Sequence, residues 1–190
     1  MEAYEKAKIK LEKLLIELKQ EAREFYGYDV INTITSRLKT QKSIIDKMKR
    51  KHYDINCNNM IDYIDDIAGI RIVCPYKTNI KMIKNILEQM PNIHILKEKD
   101  YIKKPKKSGY SGYHLIVEVP VKMQGEEIFV KAEIQIRTMA MDFWATTEHK
   151  IRYKTKNKIS FFDSMKLSIY AKILNKIDDE LIKMKNRQHT

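Results

Sequence analysis

Val130-Lys131-Ala132-Glu133-Ile134-Gln135-Ile136-Arg137 is the stretch on which the fold turns. Its even positions are apolar and its odd positions are Lys, Glu, Gln and Arg. That is the two-residue period of a strand with one core face and one polar face. Working outward, Gln124-Gly125 joins strands over Tyr113–Met123 and Glu127–Arg137 as an antiparallel hairpin. Gly69-Ile70-Arg71-Ile72-Val73-Cys74, closed by Pro75, reads as another strand, and His94 to Leu96 begins one more. Helical periods flank them. Tyr4, Ala7, Leu11, Leu14, Leu15, Leu18, Ala22 and Phe25 recur at three- and four-residue steps, and Gly27 stops that run. Further helices are expected over Ser43 to Met48, Met60 to Ile64, Thr78 to Met90, Met139 to Tyr153 and Phe161 to Lys185, the last with Ser160 as N-cap. The expected fold class is α+β, with a mixed, mostly antiparallel sheet of about four or five strands flanked by helices.

Composition sets the outer limits. A chain of 190 residues, 43% hydrophobic and 33% charged, has enough apolar material for one core and suits a single domain over 1–190. The net charge of +12 asks for a polyanionic partner: nucleic acid, an anionic membrane face or a phosphate-rich small molecule. No run of about 18 apolar residues occurs, and the opening MEAYEKAKIKLEKLL mixes acids with lysines. Neither a membrane span nor a secretory signal is therefore expected. Cys57 and Cys74 fit no metal spacing and suit a reducing cytoplasm. His114, Glu148 and His149 form no HExxH or HD pattern, which argues against a zinc or metal-hydrolase centre.

Three features bear chemistry. The polar face of the sheet is either a solvated surface or the concave floor of a charged-ligand site. Asp66 lies just before the strand carrying Arg71, and Asp66 with Glu133 can share one Mg²⁺, which takes a few carboxylates plus substrate phosphates. The segment Lys103 to Gly112 combines lysines for phosphates, glycines for close backbone approach and tyrosine for a base, yet it is neither a P-loop nor a dinucleotide fingerprint. Arg37, Lys39, Lys47, Lys49, Arg50 and Lys51 cluster around Ser43, with Lys47 and Arg50 on one helix face. A solvated basic loop and an ordinary charged helix surface are the plain readings of the last two.

Taken together, Asp66-Ile67-Ala68-Gly69-Ile70-Arg71, Tyr101 to His114 with its Gly109-Tyr110, Ala132-Glu133-Ile134-Gln135-Ile136-Arg137-Thr138, and Met141-Asp142-Phe143-Trp144-Ala145 with Glu148-His149 resemble the RelA/SpoT synthetase family over roughly residues 30–155. The single-domain small alarmone synthetases are the nearest likeness. The resemblance implies a nucleotidyltransferase-like fold and transfer of the β,γ-pyrophosphate of ATP to the 3′-hydroxyl of GDP or GTP, with GMP a further candidate acceptor, giving (p)ppGpp and AMP. It implies Mg²⁺ as cofactor, held by Asp66 and Glu133, with Glu133 also activating the attacking hydroxyl. It places Arg37 and Arg71 on either side of adenine and Lys39, Ser43, Lys47 and Arg50 at the ATP phosphates. On the acceptor side it places Tyr110 against guanine, with Lys106, His114 and Gln135 beside it.

The sequence departs from the family pattern in specific places. Gly109-Tyr110-Ser111-Gly112-Tyr113-His114 lacks the arginine and serine of the usual GYRS, leaving Lys103, Lys104, Lys106 or Lys107 to compensate. Asp142 stands where relatives carry an asparagine that reads guanine; a carboxylate accepts the guanine N–H groups but cannot donate to O6. Lys97-Glu98-Lys99-Asp100 resembles a basic version of the RxKD motif. By the same resemblance the chain is expected to be a cytoplasmic homotetramer, its helices at about 1–26 and 160–187 mediating assembly, with RNA a candidate regulator. Some small synthetases have a product-binding cleft, but its N-terminal basic and aromatic residues are not evident here: Thr35 is retained, whereas Thr33 stands where an aromatic is typical. The alternatives are a single-stranded RNA-binding module built on the Lys103–Gly112 loop and a catalytically degenerate synthetase relative.

Overall fold

The Gln124-Gly125 turn sits at the tip of the longest hairpin in the sheet, and both residues have positive φ (50° and 93°), as a two-residue turn between twisted strands requires. The computed structural model describes residues 1–154 and 159–187, except for the side chains of 153 and 154. In chain order its elements are α1 (Glu2–Tyr26), β1 (Thr33–Leu38), α2 (Gln41–Arg50), α3 (Cys57–Tyr63), β2 (Ala68–Cys74), α4 (Lys77–Gln89), β3 (His94–Asp100), β4 (Tyr113–Met123), β5 (Glu126–Thr138), α5 (Met139–Lys154) and α6 (Phe161–Arg187). The five strands form one sheet in the order β1-β2-β5-β4-β3. Only β2 and β5 run parallel; the other three pairings are antiparallel. This is the α+β class expected, with a mixed sheet.

One face of the sheet is the core. Ile70, Ile72, Leu115, Val117, Ile134 and Ile136 point into it, and α1 covers it with Tyr4, Ala7, Leu11, Leu15, Leu18 and Ala22. Each fully buried Leu or Ile contributes about 1.5–3 kcal/mol, so register is firmly specified: a one-residue slip would expose the whole set. Helix α4 adds Ile80, Ile83 and Leu87 to the same cluster. Gly27 ends α1 in the left-handed conformation (φ 72°), its N–H bonded to the Arg23 carbonyl, and Ser160 Oγ accepts from Asp163 N–H to cap α6.

Strand β1 is the element that the hydrophobic pattern did not announce. Thr33-Ile34-Thr35-Ser36-Arg37-Leu38 carries two large apolar residues, and its positions alternate between exposed and half-buried. It is an edge strand, held by antiparallel pairing to β2 rather than by deep burial. Among the described residues no helix is long and apolar enough to cross a membrane, and both cysteines are free, Cys57 exposed and Cys74 buried.

Candidate active site

The sheet's other face is polar, exposed along β1 at Thr35 and Arg37 and buried toward β5 and β4 at Glu133 and His114. Pairing registers place Arg37 opposite Gly69, Gly69 opposite Glu133, Thr35 opposite Arg71, Arg71 opposite Gln135 and Gln135 opposite His114. Two rows therefore cross the strands on one face, Arg37–Gly69–Glu133 and Thr35–Arg71–Gln135–His114. Gly69 puts no side chain between Arg37 and Glu133, and a pocket of about 120 Å³ opens there, lined by Arg37, Asp66, Gly69, Arg71, Glu133 and Gln135 among others. Glu133 is 8% exposed and His114 6%, so charge on this floor is felt at low dielectric.

Asp66 stands at the approach to β2. The Lys39 N–H bonds to the Ile67 carbonyl at 2.8 Å, which carries the β1–β2 ladder one step further and sets Lys39 beside Asp66. Lys39 Nζ meets Asp66 Oδ2 at 3.0 Å, and Lys47 Nζ of α2 meets Oδ1 at 2.8 Å. Burial alone would raise this carboxyl, but the hydrogen bonds and charges of Lys47 and Lys39 prevail and hold it below the ordinary carboxylate range. Ser43 lies in the first turn of α2, where its N–H is capped by Thr40 Oγ1 at 3.3 Å. Arg50 is exposed in the last turn of that helix.

Glu133 belongs to a closed hydrogen-bonded ring. Its Oε1 pairs with His114 Nδ1 at 2.9 Å, and its Oε2 accepts from Gln135 Nε2 at 2.7 Å. His114 Nε2 meets the Tyr110 hydroxyl at 2.5 Å. Arg137 closes the ring, donating to the Tyr110 hydroxyl at 2.9 Å and to Gln135 Oε1 at 2.8 Å. Burial pushes the Glu133 carboxyl up, but hydrogen bonding and charge from His114, with the Gln135 bond, leave it below its usual range. The Tyr110 hydroxyl is pushed up, chiefly by burial.

Asp142 joins the two halves of the site. Its Oδ1 is 2.9 Å from Arg137 Nη1 and 3.4 Å from Arg71 Nη1. Burial, then Arg137 and Arg37, lower the Arg71 pKa, with Asp142 opposing them. Among the described residues the Nε–H groups of Arg71 and Arg137 are buried without a hydrogen-bond partner, a state costing about 1–3 kcal/mol each. The loop after β3 starts with Asp100 Oδ1 accepting from the Ile102 and Lys103 N–H groups, both at 2.9 Å. Lys106 then places its ammonium 4.6 Å from the Tyr101 ring centre and 4.8 Å from that of Tyr110. Burial, ahead of the neighbouring cations, lowers the Lys106 pKa.

The structure thus gathers Arg37, Lys39, Lys47, Asp66, Arg71, Glu133, Gln135, His114, Tyr110, Lys106 and Asp142 into one connected region, with Ser43 at its margin and Arg50 exposed outside the hydrogen-bond network. Sequence reasoning missed Arg137, which holds Tyr110, Gln135 and Asp142 together. The signal was available in the parity that Arg137 shares with Glu133 and Gln135; the structure buries it to 5% exposure. Trp144 is buried, as a core residue of α5, whereas neighbouring Phe143 is 60% exposed. Glu148 pairs with Arg152 one helical turn on.

A mixed five-stranded sheet with acids and arginines converging on its polar face places the chain among α+β proteins of nucleotidyltransferase-like arrangement. The family model described as "Region found in RelA / SpoT proteins" matches residues 36–158, and the chain belongs to that family. GTP pyrophosphokinase YwaC of Bacillus subtilis is 41% identical over 168 residues, covering 88% of this chain and 80% of that protein. The crystal structure of small alarmone synthetase 2 from B. subtilis is 38% identical, with a TM-score of 0.88 over 97% of this chain and 95% of that one. Small alarmone synthetase 1 from the same organism, bound to its product pppGpp, is 32% identical, with a TM-score of 0.88 over 97% and 93% of the two chains.

Proposed function

We infer that this chain is a GTP pyrophosphokinase, transferring the β,γ-pyrophosphate of ATP to the 3′-hydroxyl of GDP or GTP and releasing AMP and (p)ppGpp. The observation that carries this reading is the single pocket lined by Arg37, Arg71, Asp66 and Glu133 in a member of this family. Arg37 and Arg71 supply planar cations for adenine, a role that guanidinium groups fill by stacking. Lys39, Lys47, Ser43 and Arg50 take the phosphates, and the two lysines keep Asp66 ionised before nucleotide arrives.

Asp66 and Glu133 suit Mg²⁺, which takes one or two carboxylates and completes its shell with water and phosphate oxygens. Among the described residues no three metal-ligating side chains form a group, so this carboxylate pair would need substrate oxygens to complete a site. Once bound, the ion would neutralise charge on the transferring pyrophosphate.

The remaining work falls to side chains of the chain. Glu133 accepts a hydrogen bond from the 3′-hydroxyl and takes its proton as the O3′–Pβ bond forms. The bridging bond between Pβ and the α-phosphate oxygen breaks, and its electron pair leaves with AMP. A carboxylate held below its usual pKa is a weak base, so its service is chiefly orientation, with His114 and Gln135 fixing it. Tyr110, Lys106 and Gln135 hold the acceptor. Asp142, engaged by Arg71 and Arg137, bears on guanine selection through Arg137, which holds the Tyr110 hydroxyl.

Assembly is part of the same reading. Phe162, Met165, Ile169, Ile173, Ile177 and Leu181 recur every three or four residues on α6 and are all exposed, on the side away from buried Leu167, Ala171 and Asp178. A second copy of this chain is the proposed cover, with a cytoplasmic homotetramer the expected assembly. The testing experiment is incubation with ATP, Mg²⁺ and each of GMP, GDP and GTP. AMP release dependent on GDP or GTP supports the function, and its absence with every acceptor overturns it.

A further inference from the structure

Helix α6 does more than present an exposed apolar side. Its buried residues Leu167 and Ala171 form, with Trp144 of α5, an apolar cluster separate from the main core. The acceptor loop rests on that cluster. Gly109 has φ 85°, and a Cβ placed there would come within 2.5 Å of the Ala171 Cβ and 3.6 Å of both the Ser168 Cα and the Trp144 ring. Ser111, two residues on and 3% exposed, borders the same contact. A second tie runs to β5, where the Thr138 hydroxyl donates to Asp178 Oδ2 and accepts from the Met141 N–H. Thr138 directly follows Arg137, the residue whose guanidinium holds the Tyr110 hydroxyl.

Two of the supports of Tyr110 therefore meet on one helix. The loop reaches α6 through Gly109 on Ala171, and the end of β5 reaches it through Thr138 on Asp178. We propose that α6 is a positioning element for the acceptor nucleotide, in which the close fit of Gly109 on Ala171, backed by Trp144, sets where Tyr110 stands in the site. This rests on the acceptor role read for Tyr110 above. None of these supports touches a reacting atom; they act through Tyr110 and Arg137. Donor-side Arg37, Lys39 and Asp66 lie on β1, just after it and at the approach to β2, whereas α6 packs on α4 and α5. Close-packed contacts transmit a change of even one methylene, so a larger side chain at 171 has to move the loop.

The test is Ala171→Leu, with Ala171→Val measured alongside as the smaller intrusion should the leucine variant not fold. Expected is a tenfold or greater rise in KM for GDP, with KM for ATP within twofold of wild type. Calorimetric titration of GDP and of a non-hydrolysable ATP analogue reads the same split without turnover. It decides the inference even if the wild-type chain makes no AMP and the pyrophosphate-transfer reading falls. Trp144 is the sole tryptophan, so its emission should shift on GDP addition and not on addition of the ATP analogue. Equal weakening of both nucleotides, or no weakening of either, would overturn the positioning role.

Discussion

Glu133 carries the heaviest burden of any single residue. Its carboxylate is buried, ionised and held at both oxygens, so Glu133→Gln keeps the shape and removes the charge. AMP formation should fall by about 10²–10⁴-fold, the range for a positioned acid–base group, while the circular dichroism spectrum stays unchanged. Arg137 is the residue whose planar fork is used most fully, since it reaches Tyr110, Gln135 and Asp142. Lysine keeps the charge but loses the fork. Arg137→Lys should therefore raise acceptor KM about tenfold, or ~1.4 kcal/mol, in steady-state assays at saturating ATP. Sequence parity located Glu133, Gln135 and Arg137 on one face, but it did not say that Arg137 would be turned sideways into a ring. That depends on β4 bringing His114 against Glu133 and on the loop returning Tyr110 to Arg137, contacts that span 19 and 27 residues of the chain.

At the scale of elements, strands and helices with strong period were legible, and their ends fell within a few residues of those expected. The exception, β1, has too little apolar content to betray a strand; its pairing partner decides it, and partners are not written locally. The role of α6 was legible in part. Its period predicts a helix, but nothing in that period distinguishes the side that packs on the acceptor loop from the side left exposed. Replacing Ile173 by Lys places a charge in the middle of the exposed stripe. Light scattering should show the assembly reduced to a smaller species, with the helical content retained.

The whole molecule should show the electrostatics of its site in its acid stability. Asp66 and Glu133 sit below their ordinary values of 3.8 and 4.5 in the folded state. Their contribution is fully present above those values and is lost as pH falls through the lower folded-state values, because the unfolded chain binds protons first. Asp178 acts in the opposite sense: burial raises its pKa, so it subtracts stability when ionised and returns it as pH falls through that raised value. The urea midpoint should drop on acidification below about pH 4.5, and Asp66→Asn should flatten that drop. A net charge of +12 also fits a site that must hold two polyphosphates at once. The measurement that bears most directly on the function is the fate of ATP labelled in its β-phosphate, supplied with GDP and Mg²⁺. The label should leave the adenosine entirely and appear on the guanosine 3′-oxygen, with one unlabelled AMP formed per product. Labelled ADP, or a guanosine product carrying only the γ-phosphate, would contradict transfer of the pyrophosphate as a unit.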